Sequence, residues 1–179
     1  MTPNGCGNGW QSRTNRMSVE FVAMTKILMV CMGNICRSPM ARTVAQQFAR
    51  AAGRGTDFFF DSAGTHAQHV GELTDSRARR LLAERHYEVE NTRSRRVKSA
   101  DFERFDLILA MDRINLAVLA QQCPHELRGK LRLLLDFAPT LDVREVPDPY
   151  YGNVAGFERV LELCEVAATG LLLAHPLPA

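Results

Sequence analysis

From Lys26 onward, short uninterrupted apolar runs alternate with stretches whose apolar residues return every three or four positions. The first run, KILMV, suits a strand buried on both faces. Behind it, Met40, Val44 and Phe48 recur at helical spacing as far as Ala51 and Ala52. Ser38 and Pro39 are the expected N-cap and first helical position, and Gly53 the stop. DFFFDSAG reads as a second strand and turn, and Thr74 to His86 as a helix that turns Ala78, Leu81 and Leu82 inward. DLILAMD is a third strand, Arg113 to Cys123 a helix, and KLRLLLDF a fourth strand. A last helix from Val154 to Leu173 gathers Phe157, Val160, Leu161, Cys164 and Ala168 on one face. Strands alternating with helices imply right-handed crossovers and an α/β fold: a three-layer αβα sandwich around a four-stranded parallel sheet.

The first 24 residues break this rhythm. They are polar and rich in Gly and Asn, so they read as a disordered extension or as over-called start sites, with Met17 and Met24 following. Residues 25–179 then form a single domain, a size that 179 residues supports comfortably. A formal net charge of only +2 gives no global case for nucleic acid or a membrane surface as partner. There is no apolar leader and no run of membrane-spanning length. Five scattered cysteines, an odd number, argue for reduced thiols and a cytoplasmic location rather than a disulfide framework.

In parallel sheets, ligands bind where loops leave the carboxyl ends of strands. The loop VCMGNICRSPM leaves the first strand there and carries Cys31, Arg37 and Ser38. Main-chain N–H groups of such a tight turn, reinforced by the following helix N-terminus, form a nest for an anion. Arg37 adds a planar fork for two oxygens, and Gly33 and Asn34 tolerate the left-handed backbone that the turn needs. The same positive surroundings favour the thiolate of Cys31, to which Ser38 can donate. A phosphate-binding loop with a nucleophile at its base is a phosphoryl-transfer site. Ser62 to Thr65, Met111 with Asp112, and VPDPYYGN leave the other strands and could converge on it. A zinc site from Cys31, Cys36, His66 and His69 fits no strong ligand spacing, and no Walker ending is present.

VCMGNICRSPMA, followed in order by DSAGTH, FDLILAMD and PDPYYGN, resembles the low-molecular-weight protein tyrosine phosphatase family over roughly Lys26 to Leu173. The resemblance implies an enzyme that hydrolyses phosphotyrosine through a phosphocysteine, without metal or cofactor. In it, Cys31 is the nucleophile, Arg37 with the amides of Met32, Gly33, Asn34, Ile35 and Cys36 holds the phosphate, and Asp148 is the general acid and base. It further implies that Ser62 braces Asn34, that Tyr150 and Tyr151 receive the substrate ring, and that Cys36 can close a protective disulfide with Cys31. The implied partner is a tyrosine-phosphorylated protein, a bacterial tyrosine kinase among the candidates, and release from the cell without a signal peptide stays open.

This sequence departs from the family at three positions. Gln68, with His69 beside it, stands where many members place Trp or Tyr as a cleft wall, so a flat stacking surface is expected to be missing. Thr92 stands where many carry His, and Arg42 where Glu is common; the latter reads as a surface change. The basic segment TRSRRVKS reads as solvated surface, with steering of acidic phosphopeptides as the alternative. Three rivals remain. A thioredoxin-coupled arsenate reductase would need further cysteines, which LLAERHYEVENT lacks. A phosphoarginine phosphatase would have Thr in place of Ile35. A catalytically weak phosphate-binding module would share the cradle.

Overall fold

A computed structural model describes residues 24–175; the extension expected over residues 1–24 lies, but for its last residue, outside them. Strand β1, Thr25–Cys31, runs through the middle of the sheet. Its neighbours are β2, Phe58–Gly64, on one side and β3, Leu107–Ala110, on the other, with β4, Leu131–Leu133, outside β3. All three pairings are parallel, as the alternation of elements requires.

The run KILMV is buried on both faces because both faces are covered. Ile27, Met29 and Cys31 point to one side, where helices α1 (Arg37–Ala51), α2 (Ser76–Glu84) and α5 (Val154–Ala174) pack. Leu28 and Val30 point to the other, toward Phe102 of α3 (Ser99–Arg104) and Leu119 of α4 (Arg113–Gln122). Ala78, Leu81, Leu82, Phe157, Val160, Leu161, Cys164 and Ala168 are all buried on the α1 side, as their spacing predicts. Gly53, just past α1, has φ 70, the left-handed conformation that ends helices at little cost to glycine.

Three local expectations change. Cys36, not Ser38, holds the N-cap position of α1, and no side chain caps it, because the Ser38 hydroxyl is turned back toward Cys31. The run KLRLLLDF is a strand only as far as Leu133. Asp136 then accepts a hydrogen bond from the Leu133 backbone N–H at 3.1 Å, closing a 3-10 turn over Leu134–Phe137 that sends Leu134 and Leu135 into the α1-side core. Periodicity cannot separate a buried strand from a buried turn in so short an apolar run. Helix α3 was not expected, since six residues are too few to display a period; Asp101 fixes it by accepting from the Lys98 N–H at 2.8 Å.

The turn after β4 is pressed against α5. A Cβ on Gly170 would stand 1.7 Å from the Phe137 carbonyl oxygen, so helix and backbone touch where only glycine fits. Gly170→Ala therefore gains about 1 kcal/mol of helix propensity but loses about 3 kcal/mol to overpacking. A lowered urea midpoint with an unchanged slope is the expected result, read by circular dichroism.

Candidate active site

The site is built at the carboxyl edge of β1. Residue Cys31 ends that strand opposite Gly64 of β2. A Cβ on Gly64 would lie 2.7 Å from the Met32 carbonyl oxygen and 3.2 Å from the Asn34 nitrogen, so the loop after Cys31 lies directly on this glycine. The backbone N–H groups of Thr65 and His66 donate to the carbonyls of Cys31 and Met32 at 2.9 and 3.0 Å, fastening the loop to the end of β2.

Asn34 turns the loop, with φ 56. Its buried amide is fully engaged: Nδ2 donates to Ser38 Oγ and Ser62 Oγ, both at 2.9 Å, and Oδ1 accepts from the Arg95 backbone N–H at 2.9 Å. These bonds stabilise a left-handed backbone that costs a non-glycine residue about 1–2 kcal/mol. The Asn34 N–H then donates to Cys31 Sγ at 3.2 Å, and Ser38 Oγ stands 3.0 Å from the same sulfur. A sulfur met by an amide and a hydroxyl is placed to carry negative charge.

Arg37 is 2% exposed. Its Nη1 donates to Asp112 Oδ2 at 2.5 Å and to the Val146 carbonyl at 3.2 Å, and its Nη2 to Asp148 Oδ2 at 2.6 Å. Asp112 also caps α4, accepting from the Asn115 N–H at 2.6 Å. Asp148, in the segment before α5, accepts from the Tyr150 N–H at 3.1 Å through Oδ1.

A cleft of about 100 Å³ opens above these groups. Met32, Gly33, Ile35, Cys36, Gln68, Tyr150 and Tyr151 line it together with Cys31, Arg37 and Asp148. Asn34, Ser38 and Ser62 lie behind the loop instead, all buried, where they touch the loop and the sulfur rather than the cleft. Among the described residues, no group of three or more His, Cys, Asp or Glu side chains is arranged to hold a metal ion.

Gln68 lines the cleft, and the ring of His69 beside it lines it as well. A Cβ on Gly33 would be 2.9 Å from His69 Cδ2, so the imidazole lies against the loop backbone. Its centroid is 5.9 Å from that of Tyr150. Glu72 Oε2 stands 3.0 Å from Nδ1, and the His69 carbonyl accepts from Ser94 Oγ. Arg42 is not a surface change. It is largely buried and donates to the Phe60 carbonyl and to Thr92 Oγ1, each at 3.2 Å, and to Glu90. The departures at Arg42 and Thr92 are thus one contact, and Thr92 does not line the cleft. Within the basic segment, Arg95 pairs with Asp61 and Asp101, both at 2.9 Å, instead of standing free in solvent.

Cys36 is free, as are Cys31, Cys123 and Cys164. Burial, followed by the negative neighbours Asp75, Cys31 and Asp148, pushes its thiol up to about 12, so Cys36 is a neutral thiol at pH 7. Asp112 and Gly64 lie in the strand-end segments expected to converge on the site and His69 beside Gln68, but the sequence assigns none of them a role there. Asp112 was legible as an N-cap at a strand end and Gly64 as a small residue in a turn, but neither pattern says what it faces.

The model of a family described as Low molecular weight phosphotyrosine protein phosphatase matches residues 26–177. A Synechocystis protein carrying that family's name is 45% identical over 148 residues, 82% of this chain and 94% of its own. A Streptomyces coelicolor low molecular weight protein-tyrosine-phosphatase is 42% identical over 153 residues, 83% and 92% of the two chains. The crystal structure of a protein tyrosine phosphatase from Entamoeba histolytica, with Hepes in its active site, superposes with a TM-score of 0.82 at 41% identity, covering 84% and 96%.

Asn34 should be the residue on which the loop most depends. Asn34→Ala strands three buried polar partners and leaves an alanine in the left-handed region, a loss of about 2–4 kcal/mol. Asn34→Gly removes only the hydrogen bonds and should fall between the two. Thermal melts give the stability order, and calorimetric titration with inorganic phosphate should show affinity falling in the same order.

Proposed function

The chain belongs to the low molecular weight phosphotyrosine protein phosphatase family, a family of hydrolases, and from that premise we propose how its residues divide the reaction. Cys31 attacks phosphorus: the S–P bond forms as the P–O bond to the tyrosyl oxygen breaks. Arg37 and the loop amides hold the equatorial oxygens as charge develops on them. Asp148 gives its proton to the departing oxygen, whose conjugate acid has a pKa of about 10, and then takes one from the water that cleaves the phosphocysteine. Ser38 returns charge stabilisation to the sulfur when it leaves. The observation that carries this reading is the convergence on one cleft of Cys31, bonded by Asn34 N and Ser38 Oγ, with Arg37 and Asp148.

His69 and Tyr150 supply the walls for an aryl ring, beside Gln68. Ile35 adds apolar surface suited to a phenyl phosphate rather than a guanidinium. The substrate is accordingly a tyrosine-phosphorylated protein, and a bacterial tyrosine kinase is the partner we favour. Four free cysteines among the described residues support a reducing, cytoplasmic setting. Cys36, lining the same cleft as Cys31, is the resolving thiol in the proposed protective disulfide.

Phosphate release from a phosphotyrosine peptide and a phosphoarginine peptide, compared side by side, tests the reading. Tyrosine turnover should dominate and vanish in Cys31→Ser. Asp148→Asn should lower kcat/KM, which reports transfer to Cys31, by about 100- to 10,000-fold on the tyrosyl ester and far less on p-nitrophenyl phosphate, whose leaving group has little need of a proton. His69→Ala should raise KM for the aryl substrate about threefold to tenfold with kcat little changed. A preference for phosphoarginine would overturn the substrate assignment. Phosphate binding without turnover would leave a binding module.

A further inference from the structure

The buried guanidinium of Arg37 has more anionic partners than it can keep. Asp112 and Asp148 already outnumber its charge, so the trio carries a net charge of −1. A phosphate dianion in the loop takes it to −3 beside the Cys31 sulfur. We propose that Asp148 and the phosphate are rival ligands of Arg37 Nη2, so that phosphate binding itself releases Asp148 to serve the leaving group, while Asp112 stays as the fixed anchor. This rests on the phosphatase reading and deepens its site.

Three observations decide which carboxylate yields. First, the Nη1 hydrogens are taken by Asp112 and the Val146 carbonyl, at 2.5 and 3.2 Å. A bidentate clamp uses two neighbouring nitrogens of the fork, so with Nη1 saturated the clamp falls on Nε and Nη2, and Asp148 stands 2.6 Å from Nη2. Second, the Asp112 side chain is 16% exposed and that of Asp148 45%. Water can take over the hydrogen bonds of the exposed group, whereas breaking the buried pair would leave charge without compensation. Third, Asp112 is tied to α4 through the Asn115 N–H. Among the described residues, Asp148 is held otherwise only by the Tyr150 N–H, and it stands between Pro147 and Pro149.

The exchange has a chemical consequence. Once phosphate occupies Nη2, the Asp148 carboxyl keeps only its bond from the Tyr150 N–H and its exposed side, and is free to turn to the leaving oxygen.

Phosphate affinity in a Cys31→Ser background, measured by calorimetry with inorganic phosphate, tests the exchange. Asp148→Asn should bind phosphate about threefold to fivefold more tightly, because a rival on an exposed ion pair is gone. Asp112→Asn should bind it at least about tenfold more weakly, because the fork loses the anchor that aims it. Mere removal of a negative charge would tighten both, so equal tightening, or no change in either, overturns the proposal. Should Asp112→Asn fail to fold, crystals of Cys31→Ser with and without phosphate decide: the Asp148–Arg37 pair should part on binding while Asp112–Arg37 remains, and a pair that persists overturns the exchange. If no variant, Cys31→Ser alone included, binds phosphate, the phosphatase reading falls and the exchange with it.

Discussion

Burying a guanidinium at the end of a parallel sheet is the constraint around which this molecule is arranged. Arg37 cannot sit at 2% exposure without partners, because an unpaired buried charge costs several kcal/mol. Its partners come from different parts of the chain: Asp112 from the end of β3, Val146 and Asp148 from the segment before α5. Satisfying one side chain therefore joins the carboxyl ends of β1, β3 and the long connection after β4. The same bonds aim the fork across the loop that carries Cys31.

Asn34 solves the complementary problem on the other side of the loop. A turn tight enough to present several N–H groups to one anion needs a left-handed residue, and a non-glycine residue there needs compensation. The amide obtains it from Ser38, Ser62 and the Arg95 backbone, drawing α1, β2 and the basic segment into one network. Gly64 then admits the loop backbone where any side chain would obstruct it. Ser38 gives up the helix-capping role in favour of the sulfur, an example of chemistry overriding local propensity.

The departures from the family pattern follow the same logic of partners. Arg42 and Thr92 look unrelated along the chain, yet they meet across α1 and the segment after α2, with Glu90 completing the pair. The cleft keeps an aromatic ring through His69, next to Gln68, with Glu72 beside the imidazole, Ser94 bonded to the His69 carbonyl, and the ring lying against Gly33. Function at such a rim is set by which ring reaches the cleft, and adjacent positions in a loop can exchange that task.

The sequence alone determined the layer architecture, because runs buried on both faces and helices with one apolar stripe admit few arrangements. It also determined the opening loop, since Cys31, Asn34, Arg37 and Ser38 lie within one turn and their chemistry is local. Tertiary structure alone decided what comes from afar. That Asp112 anchors Arg37 from 75 residues away, that His69 comes beside Tyr150, and that Arg42 is an interior partner depend on how separate strand ends are brought together. The short β4 belongs with these, for an apolar run records only that it is buried, and the choice between strand and turn was made by a single hydrogen bond from Leu133 to Asp136.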